Sequence, residues 1–161
     1  MTKQELIDAI YKSFKGVTLN DGVGLFEADC IDEYLDKNSQ VYIDWKQKDE
    51  RENWENLLPI ILSNNYHERV HSSNWFFMDA KGKKFHLPCY LLQDLDEKLN
   101  GNNPFITSLT NNSIDLISLD TLQKQTVIDF LDYKLEVFLS AHNTYDFDRY
   151  FNAKKVFIKN L

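Results

Sequence analysis

Apolar positions recur at helical spacing over most of the chain and at strand-like spacing over two short stretches. Leu6, Ile7, Ile10, Phe14 and Val17 form a stripe near helical period, preceded by Thr2-Lys3-Gln4-Glu5, which matches a capping box. Lys12 and Lys15 suit the negative end of that helix, and Gly16 suits the position after it. After an Asn20-Asp21-Gly22 turn, the spacing predicts a helix over about 25–36, with Leu25, Ala28, Ile31 and Leu35 inward and Phe26, Cys30 and Tyr34 adjoining. Residues 38–44 fit a loop or a short edge strand. A polar helix is expected from Lys46 to Leu57, with Trp54 and Leu57 as its apolar anchors, and Pro59 begins a further short helix through Leu62.

Beyond His71 the pattern changes. Trp75-Phe76-Phe77-Met78-Asp79 is bulky and aromatic, Ala80-Lys81-Gly82-Lys83 supplies a turn, and Lys84-Phe85-His86-Leu87 alternates polar and apolar, so a hairpin is expected over about 75–87. Pro88 then starts a helix through Tyr90, Leu91, Leu92, Leu95 and Leu99, stopped by Gly101. Residues 105–110 and 113–117 are expected as two strands around Asn111-Asn112. Ser118 or Asp120 caps the longest helix, which runs to about Ala141, and a last amphipathic helix spans about Tyr145 to Ile158. The expected class is α+β: a mainly helical single domain, residues 1–161, with a small antiparallel sheet (hairpin about 75–87, strands about 105–117) packed against five to seven helices.

Composition narrows the function. A chain of 161 residues that is 43% hydrophobic and 14% aromatic can fill a core without a metal or disulfide staple. The two cysteines, Cys30 and Cys89, lie in apolar patterns and fit buried thiols. Acidic side chains outnumber basic ones 25 to 18, for a net charge of -7. The densest basic cluster is Lys81, Lys83 and Lys84 on an expected turn, so the chain lacks the basic stripe of a nucleic-acid binder. An acidic surface is repelled by anionic lipid and steered toward basic proteins. With no apolar run of membrane-spanning length and no leader pattern ahead of the first helix, the expected compartment is the cytoplasm.

Four stretches carry a resemblance: Gly16-Val17-Thr18-Leu19; Gly24-Leu25-Phe26-Glu27-Ala28; Asp49-Glu50-Arg51 with Trp54; and, most specific, Phe76 through Leu91 with its Asp79-Ala80-Lys81-Gly82 and Phe85-His86-Leu87-Pro88 segments. Together they resemble an uncharacterised bacterial domain family of unknown function with the signature F-x-D-A-x-G-x-x-F-H-L-P-x-Y-L. The resemblance implies no activity, cofactor or catalytic residue. Within it, Asp79, Gly82, His86 and Pro88 are the residues of interest, and Asp79 and His86 could hydrogen-bond across the expected hairpin.

Candidate chemistry is sparse. Asp29, Asp32, Glu33 and Asp36, with Glu27, line an acidic face of the second helix, and Asp49, Glu50 and Glu52 make another; Trp45 and Trp54 stand beside them as candidate anchors. His67-Glu68-x-x-His71 matches the short zinc-hydrolase motif in surroundings rich in Asn and Ser, which suit a helix poorly. No Walker loop, dinucleotide-binding glycine fingerprint, nucleophile elbow or CxxC pair is present. The leading expectation is a protein-binding module without cofactor, of which an immunity protein occluding a basic toxin domain is one form. A zinc-dependent hydrolase using His67 and His71, or a small-ligand sensor with an aromatic pocket near the hairpin, are the alternatives. No catalytic residue is assigned.

Overall fold

The computed structural model of the chain describes residues 1–62, 72–99, 102–111 and 118–161, and among these every regular element is a helix. The helices are α1 (Lys3–Ser13), α2 (Leu25–Asp32), α3 (Gln40–Lys46), α4 (Leu58–Leu62), α5 (Ala80–Leu95), α6 (Pro104–Thr110), α7 (Thr121–Ser140) and α8 (Thr144–Lys159), with 3₁₀ turns at Trp54–Leu57 and Ser72–Phe77. The α+β expectation is therefore overturned.

The expected hairpin is the second 3₁₀ turn followed by α5. Asp79 starts that helix: its Oδ1 accepts from the amide of Gly82 at 2.8 Å, and its carbonyl accepts from Lys83. The sequence hides the helix because residues 85–91 are buried without a break. A helix covered all round carries no amphipathic period, and four alternating residues then pass for a strand. Pro88 sits inside α5, not at its start, and the helix ends at Leu95 rather than Leu99.

Residues 105–110 form α6 instead of a strand. Asn103 caps it by accepting from the Phe105 amide at 3.0 Å, and Pro104 takes the first helical position. Phe105, Ile106 and Leu109 share one buried face, while the hydroxyls of Thr107 and Thr110 donate back to carbonyls one turn earlier. The expected strand over 113–117 lies outside the described residues. Residues 38–44 mostly form α3, capped by Ser39, and the polar helix expected from Lys46 to Leu57 is replaced by a non-helical stretch leading into a 3₁₀ turn.

Contacts divide the chain into two compact units. One comprises Met1–Lys15, Tyr90–Ile114 and Leu119–Leu161; in it α7 packs on α1 and α8, and α6 packs on α8. Capping boxes at Thr2–Glu5 and Asp120–Gln123 set the starts of α1 and α7. Its core holds Leu6, Ile10, Phe14, Phe105, Phe130 and Tyr150, all at most 2% exposed. It also holds an ion pair. Asp94 Oδ1 lies 2.9 Å from Lys134 Nζ, and Asp94 Oδ2 accepts from Asn103 Nδ2 at 2.7 Å and from the Tyr150 hydroxyl. Burial, then the Asp94 carboxylate, holds the Tyr150 phenol protonated far above its usual range.

The other unit comprises Gly16–Cys89 and Asp115–Ser118; in it α2 packs on α3 and on the second 3₁₀ turn. Trp54, Trp75, Leu19, Leu25 and Phe85 fill its core. No helix among the described residues is long and apolar enough to cross a membrane.

Candidate functional site

The second unit concentrates the charge chemistry around the start of α2. Gly24 offers that helix no capping side chain, so the cap arrives from elsewhere in the sequence. Asp49 Oδ1 accepts from the Phe26 amide at 2.7 Å and Oδ2 from the Glu27 amide at 3.2 Å, which satisfies two of the free donors of the first turn. A Cβ on Gly24 would lie 2.1 Å from the Asp49 Cγ, so only glycine lets the carboxylate in. Burial raises the Asp49 carboxyl to about 6, against the pull of those two amides and of Arg51.

Beside this cap stands Glu27, whose Oε1 accepts from the Tyr42 hydroxyl at 2.8 Å and from Lys46 Nζ at 2.7 Å. Burial, then the bond to Glu27, drives the Tyr42 phenol upward. Arg51 Nη1 donates to the carbonyls of Asn20 (2.7 Å) and Gly22 (3.2 Å) and so holds the turn before α2. Its Nη2 stands 3.7 Å from Glu27 Oε2 and 3.8 Å from Asp49 Oδ2, and neither Nη2 nor Glu27 Oε2 makes a hydrogen bond. Above this group opens a cavity of about 450 Å³ walled by Tyr42, Ile43 and Gln47 and by the charged side chains of Glu27, Lys37, Lys46 and Arg51.

The stretch Asp49-Glu50-Arg51 with Trp54 thus has a structural meaning. Asp49 caps α2 and Arg51 pins a turn. Glu50 accepts from the amides of Glu52 (2.9 Å) and Asn53 (3.1 Å) and from Asn56 Nδ2 (2.9 Å), which lowers its carboxyl below the usual range. Trp54 is 1% exposed, and its carbonyl accepts from Cys89 Sγ. Desolvation pushes the Cys89 thiol well up, away from the reactive thiolate form.

The signature residues of α5 are also accounted for by packing. Asp79 Oδ1 ties the Val23 amide at 3.1 Å as well as capping α5. A Cβ on Gly82 would meet the Val23 carbonyl oxygen at 2.1 Å, so glycine permits that approach. His86 does not pair with Asp79: its Nδ1 donates to the Gly82 carbonyl at 2.8 Å, and burial lowers it to about 4.

Of the acidic and aromatic residues expected to form docking faces, Glu27, Asp29, Asp49 and Trp54 are buried and cannot meet a partner in this fold. Asp32, Glu50 and Trp45 are half-buried, Trp45 stacking on Phe26 with centroids 5.4 Å apart. Glu33, Asp36 and Glu52 are exposed.

Sequence reasoning missed Tyr34, which it assigned to the packed side of a helix. Its side chain is 92% exposed and its backbone left-handed, with φ of 54°. The end of α2 explains the backbone. The Leu35 amide donates to the Cys30 carbonyl and the Tyr34 amide to that of Ile31, the paired bonds of a Schellman motif, in which Tyr34 holds the place usually taken by glycine.

The loop that follows is equally ordered. The Asn38 amide donates to Asp36 Oδ1 at 2.9 Å and the Ser39 amide to the Asp36 carbonyl, and Ser39 Oγ caps α3 through the Tyr42 amide. The only available signal was helix length: a helix stopped at Asp32 leaves Tyr34 unpacked.

The stretch containing His67, Glu68 and His71 lies outside the described residues. Among the described residues no three His, Cys, Asp or Glu side chains are grouped to hold a metal ion.

Among the described residues the regular structure is helical throughout, and buried charges serve as caps and ties. The chain belongs to DUF6714, a family of unknown function, whose model matches residues 2–151. Neither a curated protein nor a solved structure matches it.

Proposed function

We propose that this chain is a protein-binding module that presents the turn after α2, residues 33–39, to a basic protein partner. The observation that carries the reading is Tyr34. A large aromatic side chain occupies a left-handed position that costs a non-glycine residue about 1–2 kcal/mol, yet it covers no core. Tyrosine is among the residues that anchor interfaces, because it offers large area with few rotatable bonds. Its neighbours Glu33 and Asp36 are exposed carboxylates, which favour a cationic partner and speed its encounter. The Schellman, Asp36 and Ser39 bonds fix the turn beforehand, so little ordering cost remains at docking.

An immunity role fits this reading: a rigid, acidic, aromatic-tipped turn can enter and occlude the cationic rim of a toxin domain. The test is affinity capture from the native host with the wild-type chain and with Tyr34→Ala in parallel. The expected outcome is a basic protein retained by the wild type and lost by the variant, with association slowed by salt. Equal retention by both proteins contradicts the reading.

A further inference from the structure

We infer that α8 is a homodimer interface, on which a second copy of this chain packs antiparallel against the outward face of the helix. Tyr150 and Ala153 turn α8 into the core of its unit and are fully buried. At about 100° per residue, Asp148, Phe151, Lys155 and Ile158 fall within an arc of about 80° on the opposite side. Phe151 is 40% and Ile158 47% exposed, and the Phe147 and Phe151 rings stack with centroids 6.0 Å apart. Asp132 of α7 pairs with Lys154, and Leu135 and Leu139 follow on the same face of α7, Leu139 being 65% exposed. The apolar strip therefore continues from α8 onto α7, which marks an interaction surface rather than scattered exposure.

The charges on the strip select its occupant. Asp148 and Lys155 are exposed on one edge of the arc, and neither is in an ion pair among the described residues. The Lys155 ammonium lies over the Phe151 ring, 4.4 Å from its centroid. A twofold axis crossing α8 between Phe151 and Asn152 is equidistant from Asp148 and Lys155. It sets Asp148 against Lys155 of the partner subunit and Lys155 against the partner subunit's Asp148, with the two Phe151 rings beside the axis. A parallel pairing opposes like charges at both positions. The strip is thus complementary to itself, acid to base and ring to ring. A contact made by one helix and its α7 flank is smaller than the roughly 800 Å² per partner of a standard interface, so the dimer is weak and concentration-dependent. The inference does not rest on partner docking at Tyr34, which belongs to the other unit.

Sedimentation equilibrium of the full chain over a hundredfold range of concentration tests it. The wild type should show a reversible monomer–dimer equilibrium. Asp148→Lys and Lys155→Asp each turn two attractions into two repulsions and should weaken the dimer about tenfold or more. Both side chains are exposed, so the helical circular dichroism should not change. An equimolar mixture of the two variants should dimerise about as well as the wild type, because each mixed pair again sets base against acid at both contacts. The Asp148→Lys/Lys155→Asp double variant should likewise dimerise with itself. A monomer at every concentration, a dimer indifferent to both single variants, or a weakened dimer that neither the mixture nor the double variant restores overturns the inference.

Discussion

Replacing Asp49 by asparagine separates two effects that oppose each other at the head of α2. The carboxylate accepts from two amides of the first helical turn and stands 3.8 Å from Arg51 Nη2, all of which favour its charge. Burial opposes the charge and prevails, raising the carboxyl from 3.8 to about 6. Because the folded value lies above the unfolded one, the folded chain holds the proton more tightly. The stabilisation is fully present below about pH 3.8 and is lost as pH rises through about 6. At about 1.36 kcal/mol per decade, the loss amounts to about 3 kcal/mol by pH 7. Asparagine resembles the protonated acid in shape, keeps an acceptor oxygen for one amide and does not titrate.

Urea unfolding of wild type and Asp49→Asn at a series of pH values between 4 and 7 isolates this contribution. The two proteins should be similarly stable near pH 4 and diverge above it, the variant gaining up to about 3 kcal/mol by neutral pH. A constant difference would show that the amides and Arg51 balance burial, and a wild type that gains on the variant as pH rises would show that they outweigh it and that the charged cap is a net stabiliser.

Other substitutions give equally definite outcomes. His86 titrates with the opposite sign: its folded value of about 4 lies below the usual 6.5, so stability is present above about pH 6.5 and falls with acidification, and His86→Asn should flatten that part of the profile. Gly82→Ala drives a methyl into the Val23 carbonyl and should cost about 3 kcal/mol in urea unfolding. Lys134→Met strands the buried Asp94 carboxylate and should cost about 3–5 kcal/mol, with part regained in a Lys134→Met/Asp94→Leu double variant. Tyr34→Gly removes a side chain from a left-handed position and should stabilise the fold by about 1 kcal/mol, read as a higher urea midpoint.

What the sequence made legible follows from where each signal is stored. Helix starts written in adjacent residues were readable: the Thr2–Glu5 box placed the start of α1, and of the two candidates Ser118 and Asp120 it is Asp120 that caps α7. Amphipathic α8 was readable because one of its faces is wet. Helix α5 was not, because its middle, residues 85–91, is buried without a break and its aromatic, alternating segment mimics a strand. Helix α6 was hidden by β-branched threonines, whose cost is offset by hydroxyl bonds within the helix and by burial of Phe105, Ile106 and Leu109.

The cap of α2 lies 23 residues away at Asp49, so no local pattern could reveal that acidic residues on either side of the turn were interior ties rather than a docking face. The same distance concealed the cavity, which forms only when residues 27, 42, 46 and 51 are brought together. Tyr34 was misplaced because a helix assumed to continue to Asp36 turns its side chain inward, whereas the Schellman bonds at Ile31 and Cys30 turn it out.

The most direct measurement of the proposed function pairs stability with binding in one variant. With the partner captured by the wild type in hand, Tyr34→Gly is compared for urea midpoint and for Kd. The account predicts a more stable protein that binds its partner at least tenfold more weakly, since an anchor tyrosine contributes about 2 kcal/mol or more. A variant that is more stable and binds undiminished would contradict it, leaving the exposed tyrosine without a role in recognition.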